Sequence, residues 1–269
     1  MSTRIHPTAI VDKTVELDES VEIGPYCIIS GEVRIGKRCR LISHVVIGGN
    51  TEIGENNTFY PFCSVGLPPQ DLKYRGEDSR LVLGTDNVIR EYVTIQPGTL
   101  AGGMLTKLGN GNLLMACSHV AHDCHIGDKN IFANSSALAG HVKVGNNVVL
   151  GGLSGVHQFV RIGDYAFLAG GAMVRQDVPP FVSVQGDSAR AYGVNVVGLQ
   201  RSGFTSEEID LIKKIFKTYF LKGLTGEERI EGLKNLLKDE AKEKYKYIID
   251  SFLNFCLGSS RGIVSYERR

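Results

Sequence analysis

Residues 114–150 read LMACSHVAHDCHIGDKNIFANSSALAGHVKVGNNVVL, and a large apolar side chain returns at every sixth position of this stretch. The same step of six runs from Ile5 to Val174 with two interruptions. Its positions are all apolar, and all but two are aliphatic: Ile5, Val11, Leu17, Ile23, Ile29, Ile35, Leu41, Ile47, Ile53, Phe59, Val65, Leu83, Ile89, Ile95, Leu108, Leu114, Val120, Ile126, Phe132, Leu138, Val144, Leu150, Val156, Ile162, Leu168 and Val174.

A period of six does not fit the two ordinary secondary-structure patterns. An amphipathic helix repeats at about 3.6 residues, and a half-buried strand repeats at about two. Short strands joined by tight turns do fit, and hexapeptide repeats of this kind indicate a parallel β-helix with three hexads in each coil. Glycine often follows the apolar residue, as in Ile23-Gly24 and Ile53-Gly54. We expect these glycines to relax the dihedral angles of the turns.

The interruptions and the later sequence divide the chain. Loops near residues 66–82 and 96–107 are expected to leave the β-helix, a position in which solenoids often carry binding residues. The repeats predict a β-helix domain at residues 1–180. A linker at 181–203 is then expected to lead to a helical C-terminal domain at 204–269.

Three helices are predicted in the C-terminal domain. The first begins at an N-cap, either Thr205 or Ser206. The second begins at the capping-box pair Thr225 and Glu228. The third covers residues 244–257. Such a module is expected to cover the last coils of the solenoid.

Composition narrows the possible functions. The formal net charge of +1 favours neither nucleic acid nor an anionic membrane as a partner. The sequence shows no membrane span and no signal peptide, so we expect a cytoplasmic protein. The six cysteines form no Cys-x-x-Cys pair and are expected to be reduced packing residues. No cofactor is expected.

The coil length brings distant histidine motifs together. Residues three hexads apart stack above one another, about 4.8 Å apart. Counting from His122 places Gly140 one coil higher and Gln158 two coils higher, in one column. His141 and His157 flank this column. The sequence therefore predicts that these residues converge on one patch.

Such a patch suits general-base chemistry. An imidazole titrates near neutral pH and can take a proton from a hydroxyl group. Asp123 is expected to orient the His122 ring, and the N–H of Gly140 can approach a developing oxyanion. No serine or cysteine nucleophile is paired with a base here, which favours direct transfer over a covalent intermediate.

Two other interpretations of the histidines compete with this one. They can be solvated surface residues without a function. Alternatively, His119, His122 and His125 have a spacing typical of metal ligands. However, His119 and His125 occupy the same phase of successive hexads and should therefore lie on neighbouring faces. A zinc site within one chain is not expected, while a site between subunits stays open.

Several motifs resemble the UDP-N-acetylglucosamine acyltransferases of lipid A biosynthesis: His119-Val120-Ala121-His122-Asp123-Cys124, Leu138-Ala139-Gly140-His141-Val142, Val156-His157-Gln158-Phe159, Gln176-Asp177-Val178-Pro179-Pro180 and Gly193-Val194-Asn195. The resemblance covers essentially the whole chain. It implies a left-handed β-helix and a homotrimer with active sites between neighbouring subunits. It also implies transfer of a 3-hydroxyacyl chain from acyl carrier protein to the 3-position of UDP-N-acetylglucosamine, the first step of that pathway.

The resemblance further implies roles for single residues. His122 is the general base, Asp123 its orienting partner, and Gly140 the oxyanion donor. Residues implied to bind the substrates are His119, His141, His157 and Gln158 around the sugar and thioester, Gln70, Asp71 and Lys73 at the sugar or phosphates, Asn195 and Arg201 at the nucleotide, and Gly170 at the end of the acyl channel. No metal ligand is implied. The carrier protein is implied to dock on Lys213, Lys214 and Lys217.

Three departures from the family pattern leave nucleotide and sugar recognition open. Val197 stands where an acidic residue is expected, Ser202 where a second arginine is expected, and Ser188 where a histidine is expected. The acceptor position is therefore either a hydroxyl or, in a 3-amino sugar, an amine acylated by the same mechanism. A metal-dependent trimer resembling the carbonic-anhydrase-like β-helices is a further alternative, and the acyl chain length is undetermined.

Overall fold

The computed structural model describes residues 3–221, 223–238 and 244–267. Short strands follow the hexads and form three parallel sheets, which are the three faces of a prism. Each hexad strand pairs in parallel and in register with the strands one coil away, as Thr58 does with Arg40 and Val88. The predicted left-handed parallel β-helix followed by helices is confirmed.

Most strands are two residues long, and the longer ones have four or five residues. The first face contains Arg4–Ile5, Glu22–Ile23, Arg40–Leu41, Thr58–Phe59, Val88–Ile89, Leu113–Leu114, Ile131–Phe132, Val149–Leu150, Phe167–Leu168, Val182–Gln185 and Arg190–Val194. The second face contains Ile10–Val11, Ile28–Ile29, Val46–Ile47, Ser64–Val65, Thr94–Ile95, His119–Val120, Ala137–Leu138, Gly155–Val156 and Met173–Val174. The third face contains Glu16–Leu17, Glu32–Ile35, Asn50–Ile53, Arg80–Leu83, Leu105–Leu108, His125–Ile126, Lys143–Val144 and Arg161–Ile162.

The hexad residues form the core of the prism. Every hexad position from Ile23 to Val174 is buried, whereas Ile5 in the first coil is 48 % exposed. The inward side chains of the three faces meet inside each coil, so burial of apolar area stabilises every coil against its neighbours.

The glycines after the apolar residues act differently from the expectation. Neither Gly24 nor Gly54 has a positive φ; instead, a Cβ at Gly54 would lie 2.7 Å from the carbonyl oxygen of Gly84. The left-handed conformation is taken two residues later, for example by Tyr26 at φ +59° and Asn56 at φ +59°. These glycines therefore permit close stacking of successive coils, and the dihedral explanation is wrong for them.

Both predicted loops leave the prism, but each is shorter than predicted. The third-face strands resume at Arg80 and at Leu105, so the loops cover 66–79 and 96–104. The second loop contains a 3-10 turn at Leu100–Gly102. The two loops touch, because the N–H of Gln70 donates to Oε1 of Gln96 at 3.2 Å.

The segment 181–203, predicted as a linker, has regular structure. Val182–Gln185 pairs in parallel with Phe167–Leu168 and antiparallel with Arg190–Val194, which extends the first face. A short helix α1 follows at Val196–Arg201. The hexads stop at Val174, so their count could not predict these elements.

The C-terminal helices agree with the predicted starts. Helix α2 covers Ser206–Phe216, followed by a π-helical turn at Lys217–Leu221; α3 covers Gly226–Leu237 and α4 covers Lys246–Leu257. Both capping boxes are formed, by Thr205 with Glu208 and by Thr225 with Glu228. Within the described ranges, no helix has the length and apolar character needed to cross a membrane. The division into two domains stays a prediction.

Candidate active site

His122 and Asp123 form a hydrogen-bonded pair at the corner that follows the second face. Nδ1 of His122 lies 2.8 Å from Oδ2 of Asp123. Because a carboxylate only accepts hydrogen bonds, the shared proton belongs on Nδ1, and Nε2 is the acceptor whenever the ring is neutral. The side chain of Asp123 is fully buried, whereas that of His122 is 15 % exposed. The pair can therefore offer one basic nitrogen to a ligand.

The second loop holds Asp123 in place. The carboxylate accepts hydrogen bonds from the N–H of Thr99 at 2.9 Å and from the Thr99 hydroxyl at 2.6 Å. The N–H of Asp123 donates to Oγ1 of Thr106 at 2.7 Å. Gly102 lies against the carboxylate so closely that any side chain there would overlap with it. A buried carboxylate with these partners has one orientation, and it orients His122 in turn.

Gly140 lies directly above His122. A Cβ at Gly140 would be 2.5 Å from Cε1 of His122, so the imidazole occupies the space that a side chain would need. Among the described residues, the N–H of Gly140 has no hydrogen-bond acceptor. This N–H is therefore available to an oxygen atom of a ligand beside His122. The predicted stacking of Gly140 on His122 is confirmed.

His141 closes the corner from above. Its ring meets the edge of His122 at a centroid distance of 5.0 Å and stacks on Phe159 at 4.3 Å. Nδ1 of His141 lies 3.9 Å from Oδ2 of Asp123. Burial lowers the pKa of His141, while the carboxylates of Asp123 and Asp71 oppose this effect. His141 is therefore favoured in its neutral form at the corner.

His119 and His157 lie on the second face beside an apolar groove. Nδ1 of His119 is 2.6 Å from Oγ1 of Thr94, and burial lowers the pKa of His119. Nδ1 of His157 is 3.4 Å from Nη2 of Arg261. Sequence reasoning missed Arg261, because the path of the C-terminal segment back to the prism carries no repeat that can be counted.

The predicted residues of the first loop lie near this corner of their own chain. Oδ1 of Asp71 accepts the N–H of Lys73 at 2.9 Å, and the negative charge of Asp71 acts on His141. Gln70 binds Gln96, as described above. Gln158 is exposed in the coil above Gly140.

Asn195 and Arg201 lie at the two ends of α1, at the corner that follows the third face. Oδ1 of Asn195 accepts the N–H of Gly198 at 3.1 Å, and Nδ2 donates to the carbonyl of Tyr165 at 2.9 Å. Asn195 therefore caps α1, a role that was not predicted. The side chain of Arg201 is exposed. Within one chain, these two residues are at a different corner from His122.

One group of side chains has metal-ligand atoms close together. Potential ligand atoms of His122, Asp123 and His141 lie within 4.8 Å of one another. The Asp123 carboxylate already accepts hydrogen bonds from Thr99 and His122, so an ion would compete with both. His119 and His125 belong to different faces, as the hexad phase predicted. The donor set therefore suits proton transfer better than a metal within one chain.

Known proteins are similar to this chain over nearly its whole length. Residues 177–264 match the family model of the second domain of UDP-N-acetylglucosamine O-acyltransferase. An acyl-[acyl-carrier-protein]–UDP-N-acetylglucosamine O-acyltransferase from Thermodesulfovibrio yellowstonii is 48% identical over 259 residues, which cover 96% of this chain and 98% of that protein.

Solved structures show the same similarity in three dimensions. The UDP-N-acetylglucosamine acyltransferase of Francisella novicida aligns with a TM-score of 0.92 at 38% identity, covering 97% of this chain and 94% of that one. The O-acyltransferase of Moraxella catarrhalis aligns with a TM-score of 0.90 at 44% identity, covering 97% and 99%. The chain therefore belongs to the family of UDP-N-acetylglucosamine O-acyltransferases.

Proposed function

We propose that this protein transfers a 3-hydroxyacyl chain from acyl carrier protein to the 3-hydroxyl of UDP-N-acetylglucosamine, with His122 as the general base. The observation that carries the proposal is the geometry at one corner. His122 is oriented by Asp123 through a 2.8 Å hydrogen bond, and its ring lies against Gly140, whose N–H is free. The family and the donor and acceptor named in the Thermodesulfovibrio relative support the same reaction.

The reaction needs a base, an oxyanion site and a proton for the leaving group. Nε2 of His122 takes the proton of the 3-hydroxyl while that oxygen attacks the thioester carbonyl carbon. The Gly140 N–H donates a hydrogen bond to the developing oxyanion. As the carbon–oxygen bond forms and the carbon–sulfur bond breaks, the imidazolium returns its proton to the leaving thiolate. Asp123, which stays ionised, stabilises the imidazolium in between.

The site is proposed to be completed by a second copy of the chain in a homotrimer. His122 lies at the corner after the second face, while Asn195 and Arg201 lie at the corner after the third. If neighbouring prisms place these two corners opposite each other, the nucleotide can bind to Arg201 of one copy while its sugar reaches His122 of the next. Light scattering tests the oligomeric state, and a monomer that retains full activity would overturn this arrangement.

Nucleotide recognition is proposed to rest on Arg201 rather than on the amide of Asn195. A guanidinium group binds a diphosphate well, and Arg201 is exposed at the end of α1. Val197, which stands where an acidic residue was expected, is 57 % exposed. An aliphatic side chain there offers the nucleoside no hydrogen-bond acceptor.

The carrier protein is proposed to dock on α2. Lys213 and Lys214 are exposed on this helix, and Lys217 is exposed at the start of the π-helical turn that follows it. Nζ of Lys213 is 2.9 Å from Oδ1 of Asp210. A basic helix face of this kind attracts an acidic partner and raises its association rate at low salt. The cytoplasmic location expected from the sequence stays a prediction.

The experiment that tests the reaction uses competing acceptors. UDP-N-acetylglucosamine and its 3-amino analogue are mixed with 3-hydroxyacyl carrier protein, and the products are identified by mass spectrometry. We expect mainly the ester; a predominant amide would assign the protein to the alternative acceptor. Carbon dioxide hydration with stoichiometric zinc in the purified protein would overturn acyl transfer.

The role of His122 is tested by substitution. His122→Ala should lower kcat at least about a hundredfold, the usual size of general-base catalysis. His6→Ala is the matched control, because His6 is an exposed histidine in the first coil. Near full activity in His122→Ala would exclude His122 as the base.

A further inference from the structure

A buried side chain of the second loop holds the first loop against the prism. Oε1 of Gln96 accepts the N–H of Gln70 at 3.2 Å. Within the described ranges, residues 67–79 form one other hydrogen bond to the rest of the chain, from Nδ2 of Asn50 to Oδ1 of Asp78 at 3.2 Å. That second bond lies at the far end of the loop. Among hydrogen-bonding groups of the described chain, Gln96 therefore holds the near half of the first loop by itself.

The next residues of the loop are bonded to one another. The N–H of Lys73 donates to Oδ1 of Asp71 at 2.9 Å, and the N–H of Tyr74 donates to the carbonyl of Asp71 at 3.0 Å. These bonds give the turn its shape, but they do not determine where the turn lies relative to the prism. The position of Asp71 and Lys73 therefore depends on how Gln70 is held.

Gln96 is placed by the β-helix rather than by the loop that it begins. Its N–H donates to the carbonyl of Val120 at 3.0 Å. Ala121 lies one coil above it and Gly66 one coil below, because Ile95 pairs in register with Val120 and with the residue before Gly66. Both neighbours are small, so the amide has room to lie along the face, and Gln96 is only 6 % exposed. A buried amide fixed in this way can hold a loop in one place.

The hydrogen bond also determines which way the amide of Gln96 points. A backbone N–H only donates, so the atom that faces Gln70 is the amide oxygen. Leucine at this position has a similar volume but no acceptor. It would leave the N–H of Gln70 without its protein partner and the loop without its bond to the prism.

The second loop contacts the catalytic pair three residues further on. Thr99 donates from its N–H and its hydroxyl to the carboxylate of Asp123. Gln96 and Thr99 thus have different partners, the first in the loop expected to bind the acceptor and the second in the pair that orients His122. Because the two contacts are separate, we expect substitutions at the two positions to change different kinetic constants.

We propose that Gln96 is a positioning residue for the acceptor. By binding the N–H of Gln70, it places Asp71 and Lys73 where they contact the UDP-sugar. The inference rests on the proposed function, because that reaction supplies the UDP-sugar. The negative charge of Asp71 already acts on His141, so the loop lies close to the candidate site. Without Gln96 the loop must be ordered when the substrate binds, and this entropy cost weakens binding.

The first test measures the Kd of UDP-N-acetylglucosamine by calorimetry, together with kcat and KM. In Gln96→Leu, Kd and KM for the UDP-sugar should rise about three- to tenfold, the effect of one lost hydrogen bond, while kcat stays within about twofold. Gln96→Met, which keeps the unbranched shape, should behave in the same way. Thr99→Val should show the reverse, a lower kcat with little change in KM. Asn50→Ala removes the hydrogen bond at the far end of the loop, and as the matched control it should leave Kd unchanged.

A double-variant cycle separates the contact with Gln70 from other effects at residue 96. Gln70→Pro removes the N–H, whereas Gln70→Ala removes only the side chain. Gln96→Leu should have no further effect on Kd in the Gln70→Pro protein and its full effect in the Gln70→Ala protein.

Three results would overturn the assignment of Gln96. They are a wild-type Kd in folded Gln96→Leu and Gln96→Met proteins, an equal rise of Kd in Asn50→Ala, and a full effect of Gln96→Leu in the Gln70→Pro protein. Thermal unfolding shows that each variant is folded. Wild-type protein that binds and acylates no UDP-sugar would overturn the proposed function itself.

Discussion

The corner after the second face is built in two ways within one molecule. In the lower coils it is made by Gly31 and Gly49, with φ of +93° and +66°. A Cβ at Gly31 would lie 2.7 Å from the carbonyl oxygen of Gly49, so these corners have no room for side chains. In the upper coils, Asp123 at φ +59° and His141 at φ +64° take the left-handed conformation instead.

The positive φ of Asp123 and His141 does not by itself distinguish the candidate site from other corners. The loop that packs over the corner does. Non-glycine residues with positive φ also occur at corners away from the site, as Tyr26 and Phe62 show. Each costs of the order of 1 kcal/mol relative to glycine. Among the corners in the described part of the chain, only the one at Asp123 receives buried hydrogen bonds to its side chain from a loop, through Thr99. A repeated backbone conformation therefore holds a buried, hydrogen-bonded carboxylate where a loop folds over it.

The largest effects are expected when one glycine is replaced in the upper coils and one in the lower coils, both at the corner after the second face. Gly140→Ala should lower kcat about a hundredfold with little change in Tm, because the new methyl group displaces the His122 ring. Gly49→Ala should leave kcat almost unchanged and destabilise the protein by about 1–3 kcal/mol, since its φ is positive and a Cβ would lie 2.6 Å from the carbonyl oxygen of Gly66. Steady-state kinetics and thermal unfolding measure both. If the two variants lowered kcat by the same factor and were destabilised equally, the two corners would not differ in function.

Asp123→Asn should have the next largest effect. Asparagine tolerates a positive φ, so the corner can keep its backbone, but the negative charge that stabilises the imidazolium is lost. We expect kcat to fall at least about tenfold while KM for the UDP-sugar changes little. An Asn56→Asp variant, at φ +59° on a distant corner, is the control for backbone effects. Wild-type kcat in Asp123→Asn would contradict stabilisation of the imidazolium by the Asp123 charge.

A smaller effect is expected from two threonines that share one column of the third face. Both stand in register with Leu81. Oγ1 of Thr51 donates to the carbonyl of Gly48 at 2.7 Å, whereas Oγ1 of Thr106 accepts the N–H of Asp123. Valine at either position should cost about 1 kcal/mol. Only Thr106→Val should also lower kcat, by a few-fold, which a chemical denaturation series and kinetics would show.

The smallest expected effect is a pH dependence of stability. Burial lowers the pKa of both His119 and His141 in the folded protein. Below the unfolded histidine pKa of about 6.5, the unfolded chain binds protons that the folded protein does not, so the free energy of unfolding decreases as the pH falls. At higher pH this contribution is fully present.

Chemical denaturation across this pH range, with NMR titration of the two rings, measures the histidine contribution. The double variant His119→Gln with His141→Gln should show a shallower decrease than the wild type. An equal slope in both proteins would show that other groups cause it.

Much of the fold was predictable because the signal is local and repeated. The hexads predicted the strands, the stacking of Gly140 on His122 and the separation of His119 from His125 onto different faces. The capping boxes at Thr205 and Thr225 predicted the starts of two helices. In each case, a few neighbouring residues determine the conformation, so spacing alone was sufficient.

The contacts made by non-repeating segments could not be predicted in this way. The second loop brings Thr99 to Asp123, the C-terminal segment brings Arg261 to His157, and the segment after Val174 forms two strands and α1. The prediction that Gly24 and Gly54 relax the turn dihedral angles was also wrong. These glycines are required by the close approach of the next coil, which a local sequence pattern does not reveal.

The sequence by itself determined a β-helix in which His122, Gly140 and Gln158 stack in one column. This was possible because a period of six and a fixed coil length give the position of each residue by counting. Only the tertiary structure decided how the His122 side chain is oriented. Burial and hydrogen bonding of Asp123 depend on where the loop 96–104 folds back, and that path is set by packing between segments distant in sequence. His122 is oriented by this packing, which no count along the chain contains.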